Sequence, residues 1–185
     1  MNQFQELYRA DMYRYGNKPG SFTKKFHRYL RRAQCCSNPL LSYYYRFLFE
    51  RIKRTHGIEL SFRSKIGKGL YLGHPFNITV NKGAEIGENC NLHKGVTIGQ
   101  ENRGKRKGAP KIGNCVWIGV NATVVGNVTI GDDVLIAPNS YVNCDIPSHS
   151  VVYGNPCINK PRENATEDYL SRKARKKPLL QTEQR

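Results

Sequence analysis

The sequence is poor in acid, in tryptophan and in long apolar runs. Fourteen Asp and Glu stand against 30 Lys and Arg, a formal charge of +16, and there is one Trp. No stretch approaches the roughly 18 consecutive apolar residues of a membrane span. The opening MNQFQELYRADMYRYG is polar and lacks the apolar centre of a signal peptide. A cytoplasmic protein is therefore expected. The six cysteines, Cys35, Cys36, Cys90, Cys115, Cys144 and Cys157, form no CxxC pair, which excludes the usual zinc-ribbon and thioredoxin-like patterns. No metal site is expected, and the thiols read as reduced.

What is present is a period of six. An aliphatic residue recurs at Ile112, Ile118, Val124, Ile130, Ile136 and Val142, and Gly follows it at Gly113, Gly119 and Gly131. Six fits neither the 3.6 of an amphipathic helix nor the 2 of an alternating strand. It fits a chain that makes a short strand, turns a corner and repeats, the signature of a hexapeptide β-helix. Cys90 and Cys115 are read on the small-residue position of the repeat, as small apolar core residues. Upstream, Ile66, Leu72 and Ile78 keep step from about Ile58. The register then slips by two near 82–85 and resumes at Ile86, Leu92 and Ile98. A further break of fourteen residues contains the loop 100–110, which includes Arg103-Gly104-Lys105-Arg106-Lys107. Loops on rigid scaffolds commonly carry function.

The chain thus divides into a helical cap at 1–57, a β-helix at 58–157 and a basic tail at 158–185. Pro19-Gly20 and Ser37-Asn38-Pro39 punctuate the cap. Ser21 is placed to cap a helix reaching about Gln34, and Ser37 or Asn38 to cap one from Pro39 to about Thr55. The second helix carries Leu40, Leu41, Tyr44, Phe47, Leu48 and Ile52 on one side, expected to cover the open end of the solenoid. Contact of these basic, aromatic helices with a membrane surface is the alternative. The tail reads as irregular and fraying, with a short helix around Glu167 to Lys176.

The stretches HGIELSFRSKIGKGLYLGH (56–74), NLHKGVTIGQENRGKRKGAPKIGNCVWIGVNATVVGNVTIG (91–131) and VVYGNPC (151–157) resemble the hexapeptide-repeat acyltransferases. They are most similar to the serine O-acetyltransferase branch and its relatives in polysaccharide gene clusters. The resemblance spans about residues 40–162. It implies a left-handed parallel β-helix, a homotrimer with sites between neighbouring subunits, and acetyl transfer from acetyl-CoA to a hydroxyl of serine or of a sugar. His74 matches the family's general base, but Gly73 stands where serine acetyltransferases carry an Asp. Ala109, before Pro110-Lys111-Ile112, stands where they carry a second His that serves serine. Both departures put serine in doubt as the acceptor. Counting hexads places His93 one coil from His74 on the same face, about 4.8 Å away along the axis, as a second catalytic residue. Position along the family's groove names Gly119, Val120, Ala137 and Asn155 as coenzyme contacts. Lys111, Arg103, Arg106 and Arg162 are the cations available to its phosphates, because Cys144 replaces a Lys found in the sugar acetyltransferases.

Three other readings compete with this resemblance. A γ-class carbonic anhydrase needs an H-x4-H pair, which His27, His56, His74, His93 and His149 do not supply. A trimeric scaffold without chemistry fits the missing Asp and His but not the retained His74. A nucleic-acid binder rests on charge alone, with no recognition motif, so no nucleic-acid partner is expected.

Overall fold

The computed structural model describes residues 2–16 and 19–174. Three helices come first: α1 (Gln3–Arg14), α2 (Ser21–Cys35) and α3 (Pro39–Arg54). α1 was not foreseen; the Asn2 side chain caps it by accepting from the Gln5 N–H at 3.0 Å. Gly20 rather than Ser21 is the N-cap of α2. Asn38 caps α3, accepting from Leu41 N–H at 3.1 Å, with Pro39 in the first turn.

Fifteen short strands follow among the described residues: β1 (Glu59–Leu60), β2 (Lys65–Ile66), β3 (Tyr71–Gly73), β4 (Thr79–Val80), β5 (Glu85–Ile86), β6 (Asn91–His93), β7 (Thr97–Gly99), β8 (Lys111–Ile112), β9 (Trp117–Ile118), β10 (Thr123–Val125), β11 (Thr129–Ile130), β12 (Val134–Ile136), β13 (Tyr141–Val142), β14 (Ser150–Tyr153) and β15 (Ile158–Pro161). They stack as a parallel β-helix with three walls, ordered β1-β4-β7-β10-β13, β2-β5-β8-β11 and β3-β6-β9-β12-β14, with β15 antiparallel on the edge of the third. Inside, one aliphatic residue per strand builds each column: Leu60, Val80, Ile98, Val124 and Val142 in the first wall, and Leu72, Leu92, Ile118, Ile136 and Val152 in the third. All of these are buried. Corner residues Asn89, Cys115, Asp133 and His149 adopt φ between 54° and 58°, a left-handed conformation that Asn and Asp tolerate. Before them, Gly67, Gly87, Gly113 and Gly131 approach the next coil so closely that a Cβ would strike its backbone. Cys90 is a core residue, but Cys115 is not: it is half-buried at that corner, and Val116 fills the core beside it.

The register differs from the sequence reading at one point. Val80, not Ile78, pairs with Leu60 and Ile98. The two extra residues therefore lie between Leu72 and Val80, in the turn around His74, and not at 82–85. Ile78 is buried one column over, beside the corner.

α1 and α2 dock on the first coils through buried polar groups. Asp11 accepts from the Gly69 and Leu70 N–H groups at 2.9 and 3.0 Å. Arg31 donates to the Ile66 and Gly67 carbonyls at 2.9 and 2.6 Å. Phe26, Leu30 and Phe49 join the β-helix core. The expected packing face of α3 is not the one used: Ser42 and Phe49 are buried and Ile52 is half-buried, whereas Leu40, Leu41, Tyr44 and Phe47 are exposed. The early part of the tail does not fray. β15 pairs with β14, Ala165, Thr166 and Leu170 are buried, and Asp133 accepts from the Ala165 and Thr166 N–H groups. Residues 163–169 form turns instead of the expected helix, and Arg175 to Lys177 lie outside the described residues. Among the described residues no helix is long and apolar enough to cross a membrane.

Candidate active site

His74 sits on the two-residue bulge. Its φ is 52°, its backbone carbonyl accepts from the Phe76 N–H at 2.7 Å, and its side chain is exposed. Among the described residues its imidazole makes no hydrogen bond. This turn lies at the corner between the third and first walls and leaves the imidazole exposed.

His93 ends β6, and its register partner on the preceding coil is Gly73. The sequence count put the two histidines on adjacent coils of one face. The structure does bring them together, through Gly73 and with an offset of one residue. The His93 ring lies directly over the Gly73 Cα, so any Cβ there would overlap it. Gly73 is thus a steric requirement of His93: the position that carries Asp in serine acetyltransferases is here occupied from above by an imidazole. Trp117 closes the other side, with ring centroids 4.6 Å apart, and Tyr169 packs on Trp117 at 5.0 Å. The sequence reading missed this aromatic enclosure; the Trp-Ile-Gly of the repeat was its only signal.

The His93 Nε2 is buried without a hydrogen-bond partner. An unpaired buried polar atom is costly, and a ligand group is one way to pair it. Burial, and then the neighbouring His74, push the His93 imidazole below its ordinary range. It is therefore neutral at pH 7, one nitrogen donating and the other accepting. Titration of the imidazole carbons by NMR is expected to give a midpoint for His93 below the ordinary value of about 6.5, rising in His74→Ala. A midpoint at or above the ordinary value would contradict this environment.

The coenzyme residues expected from the sequence fall into two groups. Gly119 and Ala137 follow Ile118 and Ile136, the column partners of Leu92, and so continue the line of His93 along the axis. Val120 is next in the corner, its carbonyl accepting from Asn139 N–H at 2.9 Å. Asn155 is exposed between Gly154 and Pro156, at the end of the same wall. Gly119 is buried and Val120 and Ala137 are half-buried, and the Gly119 and Ala137 N–H groups are bound to the Ile136 and Val152 carbonyls of the next coil, so this line presents small side chains along the wall. The cations lie elsewhere. Lys111 is exposed on the second wall, flanked by Glu85 and Thr129. Arg103 and Arg106 are exposed on the loop joining the first and second walls. That loop is held by a Glu101–Gly108 bridge and by the Asn127 N–H donating to the Arg106 carbonyl at 2.9 Å. Arg162 follows β15 and is also exposed. One chain does not gather the loop arginines and Lys111 at the histidines.

The six-repeat pattern described as bacterial transferase hexapeptide matches residues 109–144. A serine acetyltransferase of Helicobacter pylori is 37% identical over 99 residues, covering 54% of this chain and 58% of that protein. One from Staphylococcus aureus is 38% identical over 100 residues, covering 54% and 47%. The chain therefore spans less than two thirds of these relatives. Among solved structures, soybean serine acetyltransferase superposes with a TM-score of 0.68 at 25% identity, over 85% of this chain and 69% of that one. The Neisseria gonorrhoeae enzyme gives 0.68 at 26%, over 90% and 70%. In repeat sequence this chain is similar to the bacterial hexapeptide transferases over residues 109–144, and its fold matches the left-handed β-helix of the serine acetyltransferases.

Proposed function

We propose that the protein is an acetyl-CoA-dependent O-acetyltransferase with His74 as general base. The observation that carries this reading is the turn at His74, which presents an exposed imidazole, without a hydrogen bond among the described residues, beside the unpaired His93 Nε2. In the proposed step His74 removes the proton from the acceptor hydroxyl as its oxygen attacks the thioester carbonyl carbon. The tetrahedral intermediate collapses with cleavage of the C–S bond, and His74 returns the proton to the departing CoA thiolate. An imidazole can both accept and return a proton, which suits both transfers. His93, neutral and enclosed, orients the acceptor or donates to the developing oxyanion. Arg103, Arg106 and Lys111 reach coenzyme phosphates or an anionic acceptor only if a neighbouring subunit supplies them, which supports a homotrimer with shared sites. Six unpaired cysteines fit a reducing, cytoplasmic setting.

For the acceptor we favour a sugar hydroxyl, as in polysaccharide biosynthesis. Ala109 and Gly73 remove the two side chains that accompany serine use in the family, and Gly73 cannot regain an Asp while His93 covers it. Serine remains the second reading, favoured by the named relatives, and a silent scaffold the third. A thiol-release assay with acetyl-CoA, run against serine and against nucleotide- and lipid-linked sugars, separates them. Release with sugars is the expected result. Turnover with serine alone would remove the sugar reading, and no release with any acceptor would leave the scaffold.

A further inference from the structure

α3 is amphipathic in the reverse of the expected sense. Leu40 is 84% exposed and Tyr43 75%, and Leu41, Tyr44 and Phe47 are each at least half exposed. Leu40, Tyr44, Phe47 and Arg51 fall in one line along the helix, at spacings of four, three and four. Five large apolar side chains on one helix face form a patch that marks an interaction site.

Charge decides what it meets. Between residues 21 and 55 there are nine Lys and Arg and one acid, Glu50. That acid is taken by Lys53 at 2.8 Å. Arg51 and Arg54 are exposed on α3, as are Lys24, Lys25 and Arg28 on α2, which packs beside it. A second copy of the chain would bring the same cations face to face. A nucleic acid would find Leu and Phe where phosphates need donors. An apolar stripe of Leu, Phe and Tyr bordered by Arg and Lys is the composition of a helix lying at a lipid–water boundary. Its rings fit the headgroup level and its cations the anionic headgroups.

We propose that α3 is a membrane-surface helix, docking the protein on an anionic bilayer through Leu40, Leu41, Tyr43, Tyr44 and Phe47 with Arg51 and Arg54 at the headgroups. Its role does not depend on which hydroxyl is acetylated.

Co-sedimentation of the full chain with phosphatidylcholine vesicles and with equimolar phosphatidylcholine/phosphatidylglycerol vesicles tests it. Binding is expected on the anionic vesicles and roughly tenfold weaker for Arg51→Glu/Arg54→Glu, with the difference shrinking as salt is raised. Leu40→Glu/Phe47→Glu should abolish binding while leaving the melting temperature unchanged, because both side chains are exposed. Light scattering of the same variants reads the rival occupant. Absence of binding to anionic vesicles, binding that ignores Leu40→Glu/Phe47→Glu, or a fall in particle mass in that variant would each overturn the proposal; the last would assign the face to a second copy.

Discussion

His74→Ala is expected to lower kcat for acetyl transfer by about 10²–10⁴-fold, the usual contribution of a positioned general base. The same variant should keep the wild-type melting temperature. The ring is exposed and bonds nothing among the described residues, so its removal leaves neither a cavity nor an orphaned partner. Its KM for acetyl-CoA should also hold, because the expected coenzyme contacts Gly119, Val120 and Ala137 are untouched. His93→Ala is a different experiment. It opens a void between Gly73 and Trp117, so it should cost stability as well as rate. The pair therefore separates a chemical role from a packing role. Wild-type turnover in His74→Ala would dispose of the general-base assignment.

Much of this site could be read from the chain alone, because a β-helix is written locally. Each strand contributes one inward aliphatic residue, and the next coil repeats it, so the column Leu92, Ile118, Ile136 appears in the sequence as a period of six with one wall visited every third hexad. The placement of His93 near His74 followed from that count. The count erred where two apolar residues competed for one column. Ile78 and Val80 are both aliphatic and both buried, and only strand pairing distinguishes them. Counting on Ile78 places the extra residues at 82–85, whereas they surround His74. The relation between Gly73 and His93 was illegible for a related reason: a missing Asp reads as a loss until the neighbouring coil shows what occupies its place.

The cap was harder to read, for reasons of energetics. Amphipathic reasoning buries the most apolar face of a helix, and for α3 that choice failed. Its docking uses Ser42 and Phe49, with Lys53 and Arg46 lying over the rings of Phe49 and Phe62 at 5.6 and 4.5 Å. The main anchorage comes from charges on α1 and α2 instead. Asp11 and Arg31 stand twenty residues apart and pair only in the folded state, so no local pattern announces them.

That anchorage carries the largest expected effect on stability. Asp11, His27 and Arg31 are all fully buried. The Asp11 carboxylate accepts from Arg31 at 2.8 and 3.0 Å, from His27 Nδ1 at 3.1 Å and from two backbone N–H groups. Asp11→Ala strands the guanidinium and both amides in the interior, and removing one partner of a buried pair costs about 3–5 kcal/mol. Asp11→Leu/Arg31→Leu should recover part of that loss, because no charge is left unpaired, although the Ile66 and Gly67 carbonyls lose their donor. Chemical denaturation of the two single variants and the double variant measures the coupling; additive losses would mean that the pair does not act as a unit. The pH dependence has a defined sign. Burial alone would raise the Asp11 carboxyl, but Arg31 and His27 outweigh it and hold the group below the usual carboxylate range. The folded protein therefore binds this proton less readily than the unfolded chain. The stabilisation is complete above the unfolded value of about 3.9 and is lost as pH falls from there through the folded value. Acid unfolding monitored on the cap should accordingly begin below about pH 4 in the wild type, and Asp11→Ala should lose that part of the pH dependence.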